Sequence, residues 1–357
     1  MKPKLLFAYR FGILGGVATQ LLNRYREFNN SFDVRVMFER DDGVSDRFPK
    51  DVAVALPRSA DRVAYIEKFA PDITVIIDSP KMLSDWRSAG EIGDSVLEVH
   101  TTTSNFSYLH DLDPGCGLAG IITVSAYMEH RVSETAIGAV LPIHVVSNCL
   151  EQRWFEPLLP GNATPPQEVP IVWVGKLDGH KRVLSALDVL ERIVKDCDQD
   201  RQVSPILVGG YASGSDRVKH VLETIQNRPA LRRSTAWLPR VDYSKMPGLF
   251  QNAGRAGGLS LSTSMDESFG MSVAESLASG CRVVAPDVGA LSEIVPAEML
   301  YADGDFEAAV ALASSMVRDP TLHKDSATVS ASSLRSRMAP ASTLRQFNEA
   351  LAALGLT

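Results

Sequence analysis

The sequence predicts an α/β protein with two Rossmann-like domains, each a doubly wound parallel sheet, that face each other across a cleft. The 357 residues are too many for one ordinary hydrophobic core and enough for two. Short apolar runs alternate with amphipathic runs in both halves, which is the pattern of parallel strands joined by crossover helices. Residues 156–168 hold four prolines and can continue neither sheet, because proline lacks a backbone donor and resists helix.

The proline-rich segment divides the chain. The first domain is predicted at residues 1–155, the linker at 156–168 and the second domain at 169–334. Residues 335–357 predict a C-terminal helix that packs back on the first domain. The strands predicted in the first domain are residues 4–9, 34–38, 73–77, 96–100, 120–124 and 144–146, with helices at 17–29, 62–69 and 126–134. The strands predicted in the second domain are residues 170–174, 204–208, 235–238, 258–262 and 282–285, with helices at 182–196 and 216–226.

Composition and charge exclude several classes of protein. Apolar residues make up 45% and charged residues 22%, which is typical of a globular protein. The formal net charge of −7 argues against nucleic acid as the main partner, because a duplex-binding protein needs a broad cationic surface. The four cysteines show no C-x-x-C spacing, which favours reduced thiols in a cytosolic enzyme. No run approaches the ~20 apolar residues of a membrane span, so we expect a cytoplasmic protein, at most peripheral at the inner membrane face.

Ligands of open parallel sheets bind beyond the carboxyl ends of the strands, so the residues that follow strands are the candidates. Gly15 and Gly16 follow the first strand, and paired glycines let backbone amides approach an anion or a sugar closely. The spacing is not G-x-G-x-x-G, so the dinucleotide fingerprint fails. An ordinary strand-to-helix turn is the alternative interpretation.

Two lysines follow the first strand of the second domain. Lys176 and Lys181 lie in the segment GKLDGHK, where two ammonium groups would clamp a diphosphate as point charges. A solvated loop is the alternative, since most lysines lie at the surface.

The most informative segment is Ser264 to Glu275. Gly270 would let the chain bend so that the amides of Met271 and Ser272 point outward at the positive end of a helix. A phosphate bound there would leave Glu267 to reach a sugar and Glu275 a ribose. The alternative is a capping box, with Ser272 as the N-cap and Glu275 three residues on.

This segment resembles the signature of the retaining family 4 glycosyltransferases, two glutamates separated by seven residues. Here it is Glu267-SFGMSVA-Glu275, followed by SLASGCRVVAPDVGALSEIV. Other stretches match in the same order: GG at 15–16, TVSAYM at 123–128, VVSNCLEQRWFEP at 145–157, VGKLDGHKR at 174–182 and LVGGYASG at 207–214. The resemblance implies the GT-B fold and a glycosyltransferase, expected to be a hexosyltransferase that uses a UDP- or GDP-sugar.

The resemblance also implies roles for residues at matching positions. Glu267 would contact the transferred sugar and Glu275 the ribose, while Lys176 and Lys181 would hold the diphosphate. The backbone of Phe269, Gly270, Met271 and Ser272 would bind phosphate.

In the first domain, Gly15 and Gly16 would approach the phosphate, and His100 matches a histidine near the transferred sugar. A satisfied histidine at a strand end is the alternative for His100. Val241 is placed near the base. Two departures from the family are Lys176, which replaces an arginine with a point charge, and Cys149, which replaces the glycine of the linker's N-G pair.

The implied reaction needs no cofactor and no metal, because lysines and a helix N-terminus would stabilise the leaving phosphate and no Asp-x-Asp motif lies at a strand end. The acceptor would be a saccharide, a lipid-linked molecule or a natural product. The alternatives are a nucleotide-sugar 2-epimerase, a phosphorylase with pyridoxal phosphate, and a non-catalytic nucleotide-binding scaffold. A peripheral membrane role would use Arg24 and Arg26 on the first helix, although such a stripe usually has a core-facing side.

Overall fold

The computed structural model describes residues 1–13, 15–102, 104–156, 168–197, 201–210 and 214–356. The chain divides into two compact units: unit 1 comprises Met1–Glu151 and Arg337–Thr357, and unit 2 comprises Gln152–Ser336. This division falls a few residues before the boundary predicted at residue 155, and residues 337–357 of the tail group with unit 1. The predicted linker lies outside the described residues, apart from its two ends.

Unit 1 contains a seven-stranded sheet in the order β3-β2-β1-β4-β5-β6-β7, with every neighbouring pair parallel. All six predicted strands are present, and the strand Ala53–Ala55 at the edge of the sheet was missed. The strands are β1 (Lys4–Gly12), β2 (Asp33–Asp41), β3 (Ala53–Ala55), β4 (Ile73–Ile77), β5 (Asp94–Val99), β6 (Gly120–Thr123) and β7 (Ile143–Val145).

Within the described residues of unit 1, five helices follow strands. The sequence interpretation missed the third, whose N-cap Ser79 accepts a hydrogen bond from the Met82 amide at 3.2 Å and whose first residue is Pro80, two standard start signals. The helices are α1 (Gly16–Phe28), α2 (Ser59–Phe69), α3 (Pro80–Ser88), α4 (Tyr108–Asp111) and α5 (Ala126–Ser133).

Unit 2 contains a six-stranded parallel sheet in the order β10-β9-β8-β11-β12-β13. The five predicted strands are present within three residues at each end, and the two-residue β13 was missed. The strands are β8 (Glu168–Val174), β9 (Gln202–Val208), β10 (Ala236–Leu238), β11 (Leu259–Leu261), β12 (Arg282–Pro286) and β13 (Leu300–Tyr301). Two parallel sheets with crossover helices confirm the predicted fold class.

The helices of unit 2 include both predicted ones. Helix α6 buries an apolar stripe that includes Leu187, Leu190 and Ile193, spaced three residues apart as an amphipathic helix requires. The helices are α6 (Val183–Cys197), α7 (Gly214–Gln226), α8 (Pro229–Ser234), α9 (Met246–Arg255), α10 (Met271–Ala278), α11 (Phe306–Arg318) and α12 (Lys324–Met338).

The tail is not one helix from residue 335 onward, as the sequence interpretation had it. Helix α12 ends at Met338, Ala339 is extended, and α13 (Pro340–Ala353) begins at the proline. A residue before proline is disfavoured in the helical region, which explains the break. In unit 1, Phe347 of α13 packs on Phe28 of α1 with ring centroids 5.0 Å apart. Among the helices of the described chain, none is long and apolar enough to cross a membrane.

Candidate active site

Two strand-to-helix loops of unit 2, residues 175–182 and 262–270, are joined by backbone and side-chain hydrogen bonds. The hydroxyl of Thr263 donates to the carbonyl of Lys181 at 2.8 Å and accepts a hydrogen bond from the indole of Trp173 at 3.2 Å. The Met265 amide donates to the carbonyl of His180 at 2.8 Å. Because Trp173 and Thr263 are buried, these bonds fix the loop after β8 against the loop after β11.

Lys181 and Glu267 form an ion pair where the two loops meet. The ammonium Nζ donates to Glu267 Oε1, and the Ser264 hydroxyl donates to the same oxygen at 2.7 Å. The side chains are 21% and 11% exposed, so water reaches both only in part. Burial alone would raise the pKa of Glu267, but Lys181, Ser264 and His180 lower it below its usual 4.5. Glu267 is therefore a carboxylate at neutral pH.

The backbone at Glu267 is fixed from its other side. Its carbonyl accepts a hydrogen bond from the Ala290 amide at 2.8 Å. Gly289 has a positive φ of 56°, and a Cβ there would lie 2.2 Å from the Glu267 carbonyl oxygen. Only glycine allows this approach.

Helix α10 begins with free amides. Its N-cap is Gly270, with φ of +87°, where a Cβ would lie 2.4 Å from Leu291 Cδ2. The carbonyl of Gly270 accepts hydrogen bonds from Val273 and Ala274, whereas the amides of Met271 and Ser272 find no acceptor among the residues described. The end of the helix that carries partial positive charge therefore offers two donors to an anion.

This geometry rules out the capping box. Ser272 is the second residue of α10 rather than its N-cap, and no side chain caps the helix. Glu275 accepts a hydrogen bond from the Tyr243 hydroxyl at 3.1 Å, and the Tyr243 oxygen accepts one from the Trp154 indole at 3.0 Å. Glu275 is 7% exposed. Burial raises its pKa to about 8, against the opposing effect of the Tyr243 hydrogen bond.

The remaining predicted residues of unit 2 lie in the same two regions or near them. Phe269 is buried directly before the N-cap of α10. Lys176 is exposed, two residues beyond β8, and its ammonium has no ion-pair partner in the described part of the chain. Val241 is half-buried, three residues beyond β10.

In unit 1, His100 directly follows β5 and is buried. Its Nε2 lies 2.9 Å from Glu98 Oε1, and Glu98 Oε2 accepts a hydrogen bond from Arg24 at 2.7 Å. Arg24 and Glu98 are fully buried. Burial would raise the pKa of Glu98, but Arg24 and His100 lower it to about 2. Because a carboxylate only accepts, Nε2 of His100 is the donor, and Nδ1 is not engaged by this contact.

Asp78 fixes the backbone at the same place. It lies directly after β4 with a positive φ of 44°, and its carboxylate accepts hydrogen bonds from the amides of His100 at 3.0 Å and Thr101 at 3.3 Å. Burial raises the pKa of Asp78 to about 6, with opposing contributions from His100 and Thr101. Gly15 is the N-cap of α1 and Gly16 its first residue, so both lie at a helix N-terminus after β1.

Residues 159–330 match the model of the family described as glycosyl transferases group 1. The protein is a glycosyltransferase with a group 1 domain. The match covers most of unit 2, where the Lys181–Glu267 pair, the free amides of α10 and the buried Glu275 lie. No curated protein matches the glycosyltransferase by sequence.

Solved structures share the fold of the glycosyltransferase at low sequence identity. Alr3699/HepE from Anabaena, solved with UDP and glucose, is 17% identical with a TM-score of 0.81, covering 98% of this chain and 100% of its own. Sucrose-phosphate synthase from Thermosynechococcus elongatus is 15% identical with a TM-score of 0.74 and 99% coverage of both chains. The lipopolysaccharide outer core galactosyltransferase WaaB, in its apo form, is 16% identical with a TM-score of 0.68, covering 98% and 99%. The two units of the glycosyltransferase thus have the GT-B fold.

Sequence reasoning missed several polar residues of the glycosyltransferase. Glu98 lies in β5 two positions before His100, which directly follows the strand; in extended chain this spacing places both side chains on one face, so the pattern E-x-H was a usable signal. Tyr243 and Trp154 gave none, since their partners are distant in sequence. A lipid-facing position for Arg24 is wrong, because Arg24 is fully buried against Glu98, and Arg26 pairs with Glu151.

The linker position of Cys149 keeps ordinary backbone geometry without glycine. Cys149 is not among the residues with positive φ. Its amide donates to Gln20 Oε1 at 2.6 Å and its carbonyl accepts from Asn23 at 2.8 Å, so α1 holds this segment.

Proposed function

We propose that this glycosyltransferase transfers a hexose from a nucleoside diphosphate sugar to an acceptor hydroxyl, with retention of configuration and without a metal. One observation supports the proposal most directly: the Lys181 ammonium, the free amides of Met271 and Ser272 and two shielded carboxyls all belong to the two joined loops and α10 of unit 2.

The chemistry requires positive charge beside the leaving group. Breaking the bond between the anomeric carbon and the phosphate oxygen leaves negative charge on the diphosphate, which Lys181, Lys176 and the N-terminus of α10 would stabilise. The acceptor oxygen would bond to the anomeric carbon on the face that the phosphate leaves, and the acceptor proton would pass to the leaving phosphate oxygen. Glu267 would accept hydrogen bonds from sugar hydroxyls while its charge holds Lys181 in place.

Metal independence is part of the proposal. Two ammonium groups and two helix-end amides supply the charge that a divalent cation supplies in metal-dependent transferases. We expect turnover to survive an excess of chelator. A complete loss of turnover in chelator that returns with Mg²⁺ or Mn²⁺ would contradict this part alone.

The donor is the part of the proposal that binding can test first. HepE was solved with UDP-glucose, which makes UDP-glucose the first donor to test, with GDP-sugars as the alternative. Titration calorimetry with UDP and GDP identifies the base, and incubation with the matching sugars then tests transfer to saccharide, lipid-linked and natural-product acceptors. Donor converted to a second nucleotide sugar in the absence of acceptor would indicate an epimerase instead. The anomeric configuration of the product, measured by NMR, tests retention.

Two variants test the site itself. Lys181→Ala and Glu267→Ala should each lower turnover by a factor on the order of a hundred or more, because the stabilising charge is lost where charge develops. Lys195→Ala is the matched control, since Lys195 is an exposed lysine of unit 2 whose ion-pair partner among the described residues is Glu191 on the same helix. Turnover close to that of the unmodified protein in both site variants would reject the site. The roles of Gly15, Gly16, His100 and Val241 remain predictions that the same assay can test.

A further inference from the structure

Trp154 and Tyr243 form an aromatic pair, and Tyr243 is hydrogen-bonded to Glu275 of α10. Trp154 is fully buried, its ring lies 5.3 Å from that of Tyr243, and it also packs on Phe250 at 6.3 Å between centroids. Trp154 lies before β8 in the sequence, whereas Tyr243 lies three residues before the first residue of α9. Two segments distant in sequence thus meet at one carboxyl group.

The direction of the hydrogen bonds follows from the chemistry of the three groups. An indole N–H only donates, so the Tyr243 oxygen accepts from Trp154. The single hydroxyl hydrogen of Tyr243 is then available for Glu275 Oε1, 3.1 Å away. This arrangement holds whether the carboxyl is ionised or protonated, because Oε1 acts as an acceptor in both cases.

The second carboxyl oxygen is left for a ligand. In the described part of the chain, Tyr243 is the one hydrogen-bond partner of the Glu275 side chain, and Oε2 accepts no hydrogen bond. A carboxyl group with one oxygen held by the protein is oriented before a ligand binds to the other oxygen, which reduces the entropy lost on binding.

We propose that Tyr243, fixed by Trp154, is a positioning residue for nucleotide recognition: it holds Glu275 Oε1 so that Oε2 binds a ribose hydroxyl. This inference rests on the proposed function and on the ribose contact that the family resemblance predicts for Glu275. It adds two residues, both outside the glutamate pair, that determine how strongly the enzyme recognises a ribose with intact hydroxyl groups.

The test measures two ligands on each variant. Tyr243→Phe keeps the ring and removes the hydroxyl. It should weaken binding of UDP by about 5- to 20-fold, the range expected for one hydrogen bond to a buried carboxyl, and leave binding of 2′,3′-dideoxy-UDP unchanged. Trp154→Phe should also weaken binding of UDP, by a smaller factor, and leave binding of 2′,3′-dideoxy-UDP unchanged. If the screen above selects GDP, then GDP and 2′,3′-dideoxy-GDP are the probes.

The controls separate positioning from damage to the fold. Tyr65→Phe in unit 1 removes a hydroxyl that takes part in none of the described hydrogen bonds, and should change neither affinity. If Tyr243→Phe weakens both ligands equally, Tyr243 supports the fold only, and the inference is overturned. Unchanged affinity for UDP in Tyr243→Phe also overturns it.

The affinity of Glu275→Ala for UDP separates an error about the ribose contact from an error about Tyr243. Glu275→Ala should weaken UDP more than Tyr243→Phe does. If Glu275→Ala binds UDP as the unmodified protein does, the ribose contact is wrong and this inference is overturned, whereas the proposed transfer is still decided by Lys181→Ala and Glu267→Ala. If Glu275→Ala loses affinity while Tyr243→Phe does not, the proposed function stands and only the role of Tyr243 is rejected.

Discussion

Glu267 and Glu275 belong to one short segment and are both shielded from water, yet the pKa of one is lowered and that of the other is raised. Glu267 contacts the Lys181 ammonium, which stabilises its charged form. Glu275 contacts the neutral hydroxyl of Tyr243, and burial raises its pKa to about 8. Burial therefore raises the free energy of the ionised carboxylate, and the neighbouring side chain determines whether the carboxyl group still ionises at neutral pH.

Glu98 of unit 1 follows the same rule as Glu267. It is completely buried, more so than either glutamate of unit 2, yet its pKa falls to about 2 because Arg24 and His100 face it. Of these three glutamates, Glu98 and Glu267 each face a cationic side chain, whereas Glu275 faces the neutral hydroxyl of Tyr243. Four predictions test this difference, beginning with the largest expected effect.

Arg24→Leu should lower the free energy of unfolding by about 3 to 5 kcal/mol, because it leaves the Glu98 charge buried without its cation. Urea denaturation at neutral pH measures this change. Arg26→Leu, on the same helix, is the control and should cost no more than about 1 kcal/mol, since Arg26 is 47% exposed. The double variant Arg24→Leu/Glu98→Leu should recover much of the loss. A single variant as stable as the unmodified protein would show that Arg24 does not stabilise the Glu98 charge.

Glu275→Gln should stabilise the protein increasingly as pH rises. The folded pKa of Glu275, about 8, lies above its usual 4.5, so the unfolded chain ionises first and the unmodified protein loses stability between these values. Since one pKa unit corresponds to about 1.4 kcal/mol, we expect a gain of about 2 to 4 kcal/mol near pH 8 and none below about pH 4. Urea denaturation across this range measures it. A gain independent of pH would contradict the raised pKa.

Glu267→Gln should lower the free energy of unfolding at neutral pH, the opposite of the effect expected for Glu275→Gln. The folded pKa of Glu267 lies below 4.5, so its contribution to stability is present above that value and is lost as pH falls through the folded pKa. We expect the variant to be less stable by about 1 to 2 kcal/mol at neutral pH, and the difference to disappear in acid. The same titration with urea provides the measurement. If this variant were stabilised at neutral pH as Glu275→Gln is, the two glutamates would not differ as the structure indicates.

Ser264→Ala should have the smallest effect. It removes one of the two side-chain hydrogen bonds to Glu267 Oε1 and leaves Lys181 in place. We expect a loss of about 1 kcal/mol in stability and a several-fold decrease in turnover, far less than Lys181→Ala causes. Turnover reduced as severely as in Lys181→Ala would mean that the hydroxyl, rather than the ammonium, controls Glu267.

Much of the fold follows from local sequence pattern. Every predicted strand is present because a buried parallel strand is a short apolar run that needs no distant information to be recognised. The misses were β3 and β13, of three and two residues, and helices such as α3 whose apolar face is short. The single helix predicted for the tail was wrong at Ala339, although the following Pro340 was a signal of the break.

The sequence predicted those parts of the candidate site whose residues lie close together along the chain. The spacing of Glu267, Gly270 and Glu275 lies within one segment, so sequence determined that two carboxyls would flank the start of a helix. It left the capping box open, since Ser272 and Glu275 fit that pattern equally well. The structure decided against it through the left-handed conformation of Gly270, which places the helix start two residues earlier.

By itself, the sequence determined most of the strands, the division into two parallel sheets and the candidate residues that follow strands, because each depends on neighbours along the chain. Only the tertiary structure decided which of the shielded glutamates are charged. Lys181 lies 86 residues from Glu267, Tyr243 lies 32 from Glu275 and Arg24 lies 74 from Glu98, and a pKa responds to what is near in space.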